Sequence, residues 1–211
     1  MDRIDRVETF EARVPLAHPL IVGSAQITRR TYSIVRITTT DGITGVGYCY
    51  SRGLPISKVI EAVMSPHIIG ETAESADEIR GKLLAANWQS SEHGTLTSGL
   101  SAIDIALNDI MAKRSGKSVA QFLGSDLKEI PVYSVIGYDN GNDEAGLEKE
   151  IDHALSRGIK SFKIVVGAKS PERDAHRIKV LRNRVGENAL IGVDAFRTFG
   201  DLEKAKSRIN L

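Results

Sequence analysis

The chain has 211 residues, 41% hydrophobic and 26% charged, a balance that argues against a disordered chain and supplies enough apolar material for a core. Its 28 Lys and Arg against 27 Asp and Glu leave a formal net charge of +1, so there is no bulk attraction to nucleic acid or to an anionic membrane surface. No apolar run approaches the roughly 20 residues of a membrane span, and the start, Met1-Asp2-Arg3-Ile4-Asp5-Arg6, is charged. Partners are therefore expected among small molecules or copies of the chain itself, with no nucleic acid and no membrane.

Arg6 to Val14 predicts a strand, and Pro15 to Arg30 a long connection of the kind that often carries function. Tyr32 to Thr40 and Ile43 to Tyr50 predict two further strands. Asp41-Gly42 between them is a hairpin signal, because glycine supplies the positive φ a tight turn needs. The single cysteine, Cys49, has no disulfide partner within the chain and sits in an apolar-aromatic run, which predicts a buried, inert thiol and fits a reducing, cytoplasmic setting.

From Pro55 the period changes. Val59, Val63 and Ile68, then Ile79, Leu83 and Leu84, recur at helical spacing, with Ser75 placed to cap the second group. The clearest helix runs from about Thr97 to Arg114, is apolar over a wide arc, and ends at Gly116. A short turn covers Val119 to Gly124. Beyond Pro131 come a strand (Val132 to Ile136), a helix (Glu144 to Ser156), a strand (Ser161 to Val166), a helix (Pro171 to Arg184), a strand (Leu190 to Asp194) and the start of another helix at Leu202. Three successive β-α units at this spacing predict parallel strands joined by right-handed crossovers. The expected fold class is an α+β domain over residues 1–128 followed by an α/β domain over 129–211, the latter a partial barrel.

Two charged residues stand out within these strands. Alternation places Lys163 and Val165 on one face of their strand and Phe162, Ile164 and Val166 on the other, so the apolar set packs under helices while Lys163 points to the interior of the sheet or barrel. There it suits proton transfer or the holding of a carboxylate; a lysine that merely snorkels to solvent is the plainer alternative. Asp194 lies at the carboxyl end of its strand, where a carboxylate suits a hard cation such as Mg²⁺ or serves as a helix cap. His18, His67, His93, His153 and His176 show no metal-ligand spacing, and His153 and His176 fall on helix-like stretches at expected surface positions. Gly137-Tyr138-Asp139-Asn140-Gly141-Asn142 reads as a rim loop without a phosphate-binding pattern.

In this setting the run from Ser98 to Lys113 resembles the long capping-domain helix of the enolase superfamily, in its mandelate racemase and muconate lactonizing branch. Gly158 to Gly167 is similar to that family's second barrel strand and Ile191 to Phe196 to its third, while Val14-Pro15-Leu16-Ala17-His18-Pro19-Leu20 resembles its opening to the specificity loop. The resemblance implies a three-stranded capping domain, then a (β/α) TIM-type barrel that binds Mg²⁺, abstracts the proton α to the carboxylate of a small-molecule hydroxy or sugar acid, and stabilises the resulting enediolate. Lys163 then matches the first lysine of a Lys-x-Lys motif, a catalytic position. Asp194 matches the first of three metal carboxylates. Ile21 and Tyr50 fall where the family closes over its substrate, and family habit implies a homo-oligomer; Arg197, beside Phe196, is read either as a holder of an anionic substrate group or as a solvated rim arginine.

The chain departs from that pattern at Val165, which stands in place of the second lysine and cannot accept a proton, and at Phe196, which replaces a common Asn. One-base dehydration is therefore expected over racemisation. The sequence stops at Leu211, before the strands that carry the other metal carboxylates in the family, so the 211-residue chain by itself is expected to be inactive. The alternative expectation is a remodelled, non-catalytic assembly module.

Overall fold

Gly42 adopts φ +86°, its amide donates to the Thr39 carbonyl oxygen at 2.8 Å, and the chain reverses at the Asp41-Gly42 turn. The computed structural model describes residues 2–22, 25–88, 94–138, 144–167, 170–196 and 198–209. The turn joins β2 (Ala25–Thr39) to β3 (Thr44–Tyr50) in an antiparallel register that runs from Tyr32 opposite Tyr50 to Thr38 opposite Thr44. β1 (Ile4–Val22) completes a sheet in the order β1-β2-β3.

The expected connection over Pro15 to Arg30 is corrected here: β1 continues to Val22 and β2 begins at Ala25, so almost all of it is strand. Pro15 and Pro19 misled because proline cannot donate to a ladder. β1 is an edge strand, and two prolines an even number of residues apart withhold their donors from the same side, so an unpaired outer edge tolerates both.

A short helix, α1 (Ile56–Val59), runs directly into a π-helical turn at Ile60–Met64 and a 3₁₀ turn at Ser65–His67. The Ser65 hydroxyl donates to the Ile60 carbonyl oxygen at 2.8 Å within that stretch. Helix α2 (Ala76–Ala86) starts where Ser75 Oγ accepts the Glu78 amide at 3.2 Å, as the sequence predicts. Helix α3 (Thr95–Arg114) buries Ala102, Ile103, Ala106, Leu107 and Ile110 and ends before Gly116 at φ +64°. It closes on β3 at a seam of small residues, where a Cβ on Gly45 would overlap the Ala106 carbonyl oxygen and one on Gly47 the Ala102 carbonyl oxygen. Ile4, Val35, Ile37, Met64 and Leu83 fill the space around that seam. Each such side chain removed from water contributes roughly 1.5–3 kcal/mol. A capped turn, α4 (Val119–Phe122), follows, with Ser118 and Gln121 forming a reciprocal capping box.

The remaining elements alternate: β4 (Ser134–Ile136), α5 (Glu144–Ser156), β5 (Phe162–Val165), α6 (Pro171–Val185), β6 (Ile191–Asp194) and α7 (Leu202–Ile209). The strands form a parallel sheet in the order β4-β5-β6. Phe162, Ile164 and Val166 are buried with Leu147 and Ile151 of α5 and Leu181 of α6, the face that alternation assigns to the helices. Ser170 Oγ accepts the Arg173 amide at 3.3 Å and Pro171 occupies the first turn, so α6 starts with its orphan donors answered.

Two compact units result, one comprising Met1–Leu16 and Arg29–Lys128, the other Ala17–Thr28 and Glu129–Leu211. No described helix is long and apolar enough to cross a membrane.

Candidate active site

β5 and β6 run in register, with Lys163 opposite Gly192 and Val165 opposite Asp194. Because Phe162 and Ile164 point into the helix-covered core, the side chain of Lys163 leaves from the other face and reaches along the sheet toward the carboxyl ends of the strands. Its Nζ stops 3.0 Å from Asp194 Oδ2, in a pair about one-third exposed on each side. The second carboxylate oxygen, Oδ1, accepts the Phe196 backbone amide at 3.0 Å. Both oxygens of Asp194 are thus engaged by donors of the chain.

These contacts tune both groups in the direction of charge. The hydrogen bond from Lys163, followed by that from the Phe196 amide, holds the Asp194 carboxyl below its ordinary value, and the hydrogen bond to Asp194 raises the Lys163 ammonium above its own. Lys163 Nζ also lies 5.8 Å from the centroid of the Tyr133 ring, within reach of a cation–π attraction. Phe196 carries φ +46°, the left-handed region, and its ring meets that of Tyr138 edge-on, with centroids 6.4 Å apart.

Beneath this rim lies a buried polar clasp that composition and periodicity did not reveal. Arg177 of α6 donates from Nη1 to the Val165 carbonyl oxygen at 3.0 Å and from Nη2 to the Gly137 carbonyl oxygen at 2.5 Å. One guanidinium thereby joins the ends of β4 and β5. Asp174 Oδ2 accepts the Gly167 amide at 2.7 Å and Glu150 Oε2 the Gly137 amide at 2.7 Å, so both strand ends are also answered by carboxylates from helices. A signal was present: Asp174, Arg177 and Leu181 recur at the helical spacing of one face, and Leu181 is fully buried.

The remaining expected site residues are placed as follows. Tyr50 ends β3 in the other unit, partly exposed, between the Tyr32 ring at 5.5 Å and the Arg52 guanidinium at 5.5 Å from its centroid. Ile21 lies next to the end of β1, and its side chain falls outside what the structure describes, as do Gly23, Ser24, His93, Arg197 and residues 139–143. His153 is exposed on α5, and His176 Nε2 lies 2.8 Å from Glu144 Oε2 at the surface. Cys49 is half-buried, and burial pushes its thiol above the usual range.

A hard divalent cation normally takes several oxygen ligands. Among the described residues no three His, Cys, Asp or Glu side chains converge as a metal site, and Asp194 offers one carboxylate whose oxygens are already engaged. The described residues alone do not fit a bound Mg²⁺.

Residues 4–124 match the family model described as the mandelate racemase/muconate lactonizing enzyme N-terminal domain. The chain is 32% identical over 162 residues to an arabinonate dehydratase of Saccharolobus solfataricus, covering 75% of the chain and 43% of that enzyme. To the L-talarate/galactarate dehydratase of Salmonella typhimurium it is 30% identical over 203 residues, covering 92% of the chain and 51% of the enzyme. The crystal structure of a Polaromonas L-talarate dehydratase complexed with Mg and L-glucarate superposes with a TM-score of 0.91 at 27% identity, over 100% of this chain and 58% of that one. The chain spans about half the length of these relatives.

Proposed function

The chain belongs to the mandelate racemase/muconate lactonizing enzyme family of the enolase superfamily, and on that premise we propose that its parallel unit carries the carboxylate-holding part of an acid dehydratase. The observation that carries the reading is the Lys163–Asp194 pair, a cation and a carboxylate 3.0 Å apart where two adjacent parallel strands end. In this reading Lys163 holds the substrate carboxylate, and its positive charge stabilises the negative charge that develops there when the α-proton leaves. Val165, opposite Asp194, offers no proton acceptor, which favours a one-base elimination of water over racemisation. Magnesium enters through relatives whose structures are complexed with it; in this chain Asp194 supplies one ligand, and a bound ion requires further carboxylates.

The test is solvent exchange. A full-length version, with Mg²⁺ and a panel of hydroxy and sugar acids in deuterated water, is expected to exchange the α-proton of its substrate, and Lys163→Met in that version to suppress the exchange. No exchange across the panel would remove the catalytic reading.

One observation favours a second reading, a non-catalytic assembly module: both oxygens of Asp194 are satisfied within the chain. Calorimetric titration with Mg²⁺ separates the two, because stoichiometric binding by the chain is incompatible with a site reduced to that internal pair.

A further inference from the structure

We infer that Asp174 and Arg177 of α6 are positioning residues, which set where Asp194 presents its carboxylate to Lys163 by fixing the end of β5. The inference rests on the proposed function only in taking that pair as the working groups.

Pairing along β5 is uneven. Toward β4 it ends at Ile164, opposite Ile136, whereas toward β6 it runs on to Val165, opposite Asp194. The Val166 amide then donates to the Asp194 backbone carbonyl oxygen at 2.9 Å. The groups on either side of that amide are held from α6: the Val165 carbonyl oxygen accepts from Arg177 Nη1 at 3.0 Å, and the Gly167 amide donates to Asp174 Oδ2 at 2.7 Å. The backbone bond from the end of β5 to Asp194 is thus framed by two bonds to one helix.

A second route reaches the same carboxylate. A Cβ on Gly167 would overlap Thr198 Oγ1 and lie 3.1 Å from the Ala195 carbonyl oxygen, so the turn that leaves β6 rests against the residue whose amide Asp174 holds. Thr198 closes that turn, its amide donating to the Ala195 carbonyl oxygen at 2.8 Å. Within the turn sits the Phe196 amide, the donor to Asp194 Oδ1. A shift of Gly167 therefore disturbs the support of the Asp194 side chain as well as of its backbone.

Burial argues that the two helix residues do more than fill space. Asp174 is 7% exposed and Arg177 9%. Taking a carboxylate and a guanidinium out of water often costs more than their attraction returns, so stability alone is a poor account of them. What they supply is direction: a planar guanidinium constrains the two carbonyls it spans, and a reacting site is sensitive to displacements of about 1 Å.

The experiment is amide NMR of the 211-residue protein, parent beside Arg177→Lys, Asp174→Asn and Ser170→Ala. The first two alter the contacts at the strand end while nearly keeping side-chain volume. The third weakens the start of α6, where Ser170 Oγ accepts the Arg173 amide, without touching β5. Asp194→Ala gives the direction in which the Phe196 amide resonance moves when its acceptor is lost. Arg177→Lys and Asp174→Asn are each expected to move that resonance the same way and to speed hydrogen exchange of the Val166 amide about tenfold. The Ser51 amide of the other unit, bonded to the Thr31 carbonyl oxygen, should exchange as in the parent. Ser170→Ala should change neither reading. A Phe196 resonance that stays in place in both strand-end variants, or that moves as far in Ser170→Ala, overturns the positioning role and leaves α6 a covering helix. Since neither reading involves turnover, that failure leaves the proposed function untouched, and a lack of α-proton exchange leaves the positioning intact.

Discussion

Gly47 lies so close to Ala102 that any Cβ on the glycine would overlap the alanine carbonyl oxygen. The contact is backbone against backbone, so no side chain can rotate away to relieve it. Gly47→Ala is expected to cost about 3 kcal/mol or more, because β3 and α3 must separate to admit one methyl group. Gly42 is the control: a methyl group on it would meet nothing within 4 Å, and Gly42→Ala should cost only about 1 kcal/mol from its positive φ. Urea denaturation of the two variants beside the parent measures the difference; equal losses would refute the packing account.

Phe196→Asn should raise stability slightly. Relief of left-handed strain is worth about 1–2 kcal/mol, and loss of the edge contact with Tyr138 takes back about 0.5–1 kcal/mol. In a Tyr138→Ala background that second loss is already incurred, and the full gain should appear. Thermal melts of the four members of the cycle report both numbers. A net loss in the Tyr138→Ala background would show that Phe196 is not strained.

The Lys163–Asp194 pair makes a pH window. Asp194 has its folded pKa lowered, so its contribution to stability is present above its ordinary value of 3.8 and is lost as pH falls through the folded value. Lys163 has its folded pKa raised, so its contribution is present below its ordinary value of 10.5 and is lost as pH rises through the folded value. The stability difference between parent and Lys163→Met should therefore be flat across neutral pH and shrink at both extremes. A difference that instead changes between pH 6 and 8 would argue against the pair.

Arg177→Met removes the shared donor from two strand ends and leaves the Val165 and Gly137 carbonyl oxygens to find other partners. With the arginine 9% exposed, the expected loss is about 3 kcal/mol. Arg177→Lys keeps the charge but replaces the planar fork that spans the two carbonyls with a compact point charge, and should recover about half or less. Amide shifts of Gly137 and Gly167 in a two-dimensional spectrum should move in both variants; unmoved shifts would place the clasp's effect elsewhere.

Cys49 should react slowly with a thiol reagent at pH 7.5 in the folded protein and rapidly in urea. Burial raises its pKa, which lowers the thiolate fraction that does the attacking. Comparable rates in the two conditions would show an accessible thiol.

What the sequence revealed and what it hid differ by physical kind. Alternation over Phe162 to Val166 was legible because one face had to be apolar, and with it came the placing of Lys163 on the face away from the helices. The Ser75 cap and the Asp41-Gly42 turn were legible because each uses a residue type suited to the job. The strand run through Pro15 and Pro19 was not, since an edge strand obeys looser rules than the paired strand those prolines argue against. The clasp was hidden because Asp174 and Arg177, read singly, are residues that usually face water. Nor does any local pattern announce that Phe196 sits at positive φ: that follows from how the chain leaves β6 after Asp194.

The two units are not laid out one after the other along the chain, since the second draws on Ala17–Thr28 as well as on Glu129–Leu211. A gene fragment starting at Glu129 would encode that unit without its early segment, and one ending at Lys128 would carry a segment belonging to the other. The parts are therefore poorly suited to exchange by recombination at a single junction, and a replacement for either would have to be compatible with both stretches at once.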